Sequence, residues 1–387
     1  MTRKTILVGG IIWWYPLAGV LYQFLHYLYG LRSLGWDVYY FEDSARKVYD
    51  LNVHDYTYDW ASTGHIDRLG RVLDAHGFAG KWFARCQYDN QTWGLTAAEI
   101  NEVYQRADVF LNVTGGQELL PEHDRIPHKI YLETDPVKTE ILIAKGHPEM
   151  MAVLDAHTCH FTFGENLGAA DCGVPVVRYH WQPTRQPVAL ELWPMADGPG
   201  TAYTTIATWD NRGNDIEWNG EFYRWSKRPE FLKVIELPQL RKIPFEIATG
   251  IPPDDRTIFE SHSWRLIDSL NVSVDGQTYN NYIRNSRGEF TVAKDQNIRL
   301  RSGWFSDRSC CYLAAGRPVI TQDTAFDCVL PTGRGLFGFH TIADVLAALD
   351  AIETDYELHR KAAREIAGDC FSAKGVLASL LQRAGAE

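Results

Sequence analysis

The 387-residue sequence has no Cys-x-x-Cys pair, no Gly-x-Gly-x-x-Gly turn after its first strand, no surplus of positive charge and no long apolar run. Each absence removes a class of function. Zinc sites present closely spaced thiolates. The seven cysteines here, Cys86, Cys159, Cys172, Cys310, Cys311, Cys328 and Cys370, are odd in number and lack that spacing. They read as reduced, mostly buried thiols of a cytosolic protein. No stretch reaches the ~18 apolar residues that suggest a membrane-spanning helix. The apolar start runs quickly into Gly9-Gly10, so no secretory leader is expected. Lys and Arg total 38 against 49 Asp and Glu, a net charge of −11, which argues against a broad nucleic-acid surface. Glu42-Asp43 stands where a dinucleotide fold places its ribose-binding acid, but the glycine fingerprint that would complete that reading is missing.

Short apolar runs alternate with helical patterns over most of the chain, which argues a parallel α/β sheet. Strands are expected at residues 4–8, 36–41, 108–113, 128–132, 158–163 and 174–179. Apolar residues at helical spacing, Leu21, Phe24, Leu25, Leu28 and Leu31, end at Gly35. Thr96 and Glu99 form a capping box. Four prolines, Pro183, Pro187, Pro194 and Pro199, mark a connector. After it come strands at 201–208, 245–250, 264–268 and 289–292, a hairpin with an Asn219-Gly220 turn, and a helix capped by Ser226.

Residues 299–339 organise the rest. Ser306-Asp307 precedes a short apolar helix, Gly316 ends it, and Val319-Ile320-Thr321 forms a strand that stops at Gln322-Asp323-Thr324. Ligands of open α/β sheets sit beyond the carboxyl ends of strands, so residues 303–307 and 322–324 are expected to face one crevice. Ala315, Gly316, Pro318, Val319, Ile320, Gly335, Leu336 and Phe339 make this segment similar to the donor half of GT-B glycosyltransferases. One departure is plain: the Glu-x7-Glu positions of the retaining families hold Gly303 and Cys311.

The resemblance implies two Rossmann-like domains facing across a cleft: an acceptor-side domain at 1–182, a nucleotide-sugar donor domain at 183–355, and helices at 356–387 that pack back on the first domain. It also implies glycosyl transfer from a nucleotide-sugar without a metal or other cofactor. The leaving diphosphate must be neutralised, and Lys227, Lys294 and the helix start at Asp307 suit that. Gln322, Asp323 and Thr324, then Ser306 and Asp307, are candidates for donor-sugar hydroxyls. An inverting reaction needs a general base on the opposite wall; Asp135 is the first choice, then Glu165 and His160. Gly9, Gly10 and Gly19 would face the acceptor. The acceptor stays open among small molecule, glycan, protein and modified nucleic acid, as do the oligomeric state and two rival readings: a sugar-nucleotide epimerase or hydrolase of the same fold, and a non-catalytic module that binds a nucleotide or glycan.

Overall fold

The computed structural model describes residues 3–387 apart from His54 and Ala196. The first strand, Thr5–Gly9, is wholly buried. The helix Ala18–Ser33 follows it and buries the expected apolar stripe. Gly35 then takes φ +89°, a left-handed turn into Asp37–Ser44. This unit seeds an eight-stranded sheet. From edge to edge its strands are Trp181–Pro183, Cys159–Thr162, His128–Glu133, Ala107–Val113, Thr5–Gly9, Asp37–Ser44, Trp82–Cys86 and Gln91–Trp93. All pairings are parallel except that of Gln91–Trp93 with its neighbour.

A second sheet of six parallel strands orders Arg265–Ile267, Phe245–Ala248, Tyr203–Ile206, Gly288–Thr291, Val319–Gln322 and Leu336–Phe339. In both sheets the earliest strand lies inside, with later strands added on either flank. That is the switch point at which open α/β sheets leave a crevice.

The fold class read from the sequence, two parallel α/β sheets, is the one observed. Two local expectations change. Residues 174–179 form no strand; Trp181–Pro183 takes that edge instead. The helix near residue 226 is Arg228–Lys233, entered at Lys227. Ser226 Oγ is occupied elsewhere, accepting the Asn211 amide at 2.9 Å and donating to Asp210 at 2.5 Å. Asn219 and Gly220 both have positive φ, 50° and 78°, as a tight hairpin turn requires.

Of the C-terminal helices, Tyr356–Phe371 packs on the helix Asp307–Ala314 of the second lobe, and Ala373–Arg383 returns to pack on Ala18–Ser33 of the first. They are tied to the connector through the backbone, with Val188 N–H donating to the Phe371 carbonyl at 2.7 Å and Ala373 N–H to the Val188 carbonyl at 2.9 Å. Gly30 permits the close approach: a Cβ there would lie 2.6 Å from Leu377 Cδ1 and 2.8 Å from Ala373 Cβ. One apolar cluster runs through the helix Ala18–Ser33, the helix Asp307–Ala314 and both terminal helices, so the two sheets share a core.

Candidate functional site

The carboxyl ends of both sheets open onto one cleft of about 730 Å³. The first lobe supplies Ile11, Tyr15, Thr114, Glu133, Thr134, Asp135 and Phe163 to it. The second supplies Ile206 to Asn211, Trp225, Lys227, Lys294, Trp304 and Ser306 to Arg308. This is the size of a site for a nucleotide-sized ligand.

Three cations meet on the second-lobe wall, and their states differ. Arg308 is fully engaged: Nε donates to Glu289 Oε1 at 2.6 Å, Nη1 to the Ile206 carbonyl at 2.6 Å and Nη2 to Thr291 Oγ1 at 3.1 Å. Lys294 pairs with Asp135 across the cleft. Its ammonium lies 3.2 Å from the Trp225 ring centroid and 5.6 Å from that of Trp304, a cation–π cradle. Lys227 is only 6% exposed and has no carboxylate within 4.0 Å among the described residues. Burial, with Arg308 and Lys294 nearby, holds its pKa well below the ordinary lysine value.

The helix Asp307–Ala314 starts at this wall without a side-chain cap from Ser306. The positive end of the helix dipole is thus set beside the cleft, which Ser306, Asp307 and Arg308 line. Asp307 Oδ1 accepts the Arg308 amide at 2.9 Å, and burial raises its carboxyl pKa.

On the opposite wall Asp135 Oδ1 is buried with no hydrogen-bond partner, while Oδ2 takes the Lys294 ammonium. Burial raises its pKa and Lys294 opposes that shift. Glu133 accepts the Asp135 amide at 3.1 Å. Burial and the nearby Glu140 carboxyl raise the Glu133 pKa, and burial likewise raises that of Glu140. Trp304 Nε1 donates to the Thr134 carbonyl at 3.0 Å and ties the two walls together.

The structure thus gathers Asp135, Lys227, Lys294, Ser306 and Asp307 in one cleft. It sends the remaining candidates elsewhere. Gln322 donates to Glu230 at 2.8 Å, Asp323 accepts the Ala325 amide at 2.9 Å, and Thr324 donates to the Trp304 carbonyl at 2.6 Å. All three are buried, and none lines the cleft; Thr324 instead braces the Trp304 loop from behind.

Glu165 is paired with Arg185 at 2.6 Å in a separate cavity beside the last helix. His160 sits within its strand, Nε2 donating to the Leu154 carbonyl at 2.9 Å, with Tyr179 and Trp181 against its ring. Neither lines the cleft, although Phe163 between them does: the Glu165 carboxylate is turned to Arg185 and the His160 ring to the Leu154 carbonyl.

Gly9 and Gly10 are packing positions: a Cβ at Gly9 would meet Gln117 Cγ at 2.7 Å, and one at Gly10 would collide with Tyr40. Gly19 lines a small neighbouring cavity with Asp307 and Cys311. Glu42 and Asp43, which lie within the second strand, are structural. Glu42 accepts the Trp13 and Trp14 amides at 2.7 and 3.2 Å, and Asp43 holds Arg85 at 2.7 Å.

Glu133, Trp225, Trp304 and Arg308 also line the cleft, and sequence reasoning misses all four. Trp304 and Arg308 lie within the segment 299–339, where the polar groups beside the strand and helix ends draw the eye first. Glu133 directly precedes Thr134-Asp135. Trp225 carries no local signal. Among the described residues no group of three or more His, Cys, Asp or Glu side chains could hold a metal ion.

No family model and no curated protein matches this sequence. Solved structures do match in shape. An alpha-glucosyltransferase in complex with UDP and a 13-mer DNA aligns over 100% of both chains at 10% identity and a TM-score of 0.60. Anabaena HepE in complex with UDP and glucose aligns over 99% of this chain and 100% of its own, at 9% identity and a TM-score of 0.55. A glycosyltransferase from Rickettsia africae aligns over 99% and 98%, at 11% identity and a TM-score of 0.51. The chain therefore has the fold of the GT-B glycosyltransferases, two parallel α/β lobes with their strand ends turned to a common cleft.

Proposed function

We propose that the protein is a glycosyltransferase that moves a sugar from a uridine-diphosphate sugar to an acceptor held on the first lobe. One observation carries the reading: a buried lysine with no carboxylate within 4.0 Å among the described residues, a second lysine and a helix start without a Ser306 side-chain cap converge on the cleft between the lobes. An unpaired buried ammonium is costly unless an anion completes it. A leaving diphosphate is such an anion, and its charge grows as the sugar departs. In this reading Lys227, Lys294 and the amides of Asp307 and Ser309 neutralise it, with no metal ion in that step. The UDP bound to the neighbouring folds supports the choice of nucleotide.

Asp135 is the group that would take the acceptor proton if configuration is inverted. Its Oδ1 is free to accept, and Lys294 can exchange Oδ2 for phosphate oxygen. Ser306 and Asp307 replace Gln322, Asp323 and Thr324 as the polar groups within reach of a donor sugar. All seven thiols are unpaired and no described helix is long and apolar enough to cross a membrane; the thiols support a reducing, cytosolic setting.

The test is calorimetric titration with UDP, GDP, ADP and CDP, followed by UDP release from UDP-glucose and UDP-N-acetylglucosamine with and without acceptor mixtures. Selective UDP binding and acceptor-dependent release support the proposal. Release that ignores acceptor points to a hydrolase or epimerase. Absence of nucleotide binding sinks the reading.

A further inference from the structure

We propose that the small hairpin of Val48–Asp50 and Asp55–Thr57, with the rings around it, is a stacking platform for an extended neutral oligosaccharide whose end enters the cleft as acceptor. This rests on the glycosyl-transfer reading and adds the acceptor class. The hairpin pairs Val48 with Thr57 and forms a two-stranded sheet of its own, off the main sheet. It and the neighbouring turn leave large rings in solvent: Tyr56 is 39% exposed, Tyr58 45% and Tyr88 69%. Exposed rings grouped on one hairpin and its neighbouring turn make a candidate binding face.

The rings continue the cleft. Tyr15 lines it. Tyr56 meets Tyr15 edge-to-face at 6.3 Å, and Tyr15 stacks on Trp14 at 4.9 Å. Farther out, Tyr58 stacks on Tyr88 at 5.0 Å. An oligosaccharide laid along this surface sets the C–H faces of its rings on the exposed carbon of Tyr56 and on the face of Tyr88 turned away from Tyr58, while its hydroxyls meet polar groups at the edges. Three exposed carboxylates, Asp55, Asp59 and Asp89, stand there as acceptors for those hydroxyls.

The charge pattern selects a neutral polymer. The two nearby cations are already seated over rings, Arg46 over Trp14 at 4.4 Å and Lys47 over Tyr58 at 5.0 Å. The same three carboxylates repel a phosphodiester backbone, which binds through free Lys and Arg. They equally disfavour an anionic bilayer, which attracts basic clusters.

The test uses the full chain and the variants Tyr58→Ala, Tyr88→Ala and their double, none of them in the cleft. Probes are the hexasaccharides of β-1,4-glucose, α-1,4-glucose and β-1,4-N-acetylglucosamine, an oligothymidylate, and phosphatidylglycerol vesicles, with UDP as the independent control. At least one hexasaccharide should bind the native chain and bind the double variant about tenfold more weakly or worse, while UDP affinity and melting temperature stay the same. The platform is overturned if no hexasaccharide binds, if affinity survives in the double variant, or if the oligothymidylate or the vesicles bind instead and lose that binding with the two tyrosines. Failure of UDP to bind the native chain would remove the donor reading and leave the hexasaccharide comparison to stand or fall alone.

Discussion

Lys294 of the second lobe and Asp135 of the first form an ion pair across the cleft. Each is the partner the other would lose when a donor binds, since phosphate oxygens compete with the carboxylate for the same ammonium. Under the proposed function the pair would link nucleotide occupancy to the freedom of Asp135.

Replacing Asp135 with Asn removes that competitor. UDP should bind a few-fold more tightly to Asp135→Asn, while transfer falls by about a hundredfold or more if the carboxylate is the base. Calorimetry and a turnover assay measure the two effects separately. Weaker UDP binding in this variant would contradict the competition.

Lys227→Met should separate stability from binding. The native ammonium is buried without a carboxylate partner, so its removal relieves a desolvation cost, and the melting temperature should stay level or rise. UDP affinity should drop by about tenfold or more. An unchanged dissociation constant would take Lys227 out of the anion site.

Arg308 is assigned a different role, that of holding the helix start against Glu289, whose side chain is wholly buried. Arg308→Met leaves that carboxylate unpaired and should cost about 3–5 kcal/mol, read as a shifted denaturant midpoint. A variant as stable as the native chain would show that Glu289 finds other partners.

The carboxyls of Glu133 and Glu140 have folded pKa values raised above their ordinary value of 4.5 by burial, with repulsion from Glu140 adding to the shift at Glu133. A group raised in this way stabilises the fold fully below its unfolded pKa. That contribution is lost as pH climbs through the folded value, which for Glu133 is about 8. Melting temperature should accordingly decline between about pH 5 and about pH 8, and Glu140→Gln should flatten the decline. An identical profile in the variant would assign the pH dependence to other groups.

Much of this architecture is legible in the amino-acid sequence. The period of the apolar runs predicts alternating strands and helices, and the segment Ala315 to Ile320 with Gly335 to Phe339 carries the GT-B resemblance. Those signals are local: spacing, caps and turn glycines act within one turn or one strand. Lys227, Lys294, Asp135, Ser306 and Asp307 all stand out as polar groups beside strand or helix ends, because the parallel sheet sends such ends to one edge. Asp323 satisfies the same rule and still does not line the cleft; its carboxylate accepts the Ala325 amide and lies beside Arg301 and His340. Glu165 and His160 flank Phe163, which does line the cleft, but their side chains are taken by Arg185 and by the Leu154 carbonyl.

What the chain dictates on its own is thus the set of elements and the edge at which chemistry gathers. Which of those groups meet was decided only by the packing of one lobe on the other. The Lys294–Asp135 pair and the Trp304–Thr134 bond join residues 159 and 170 positions apart. No periodicity spans such distances. Contacts of that kind come from the shared apolar core that sets the lobes' relative position.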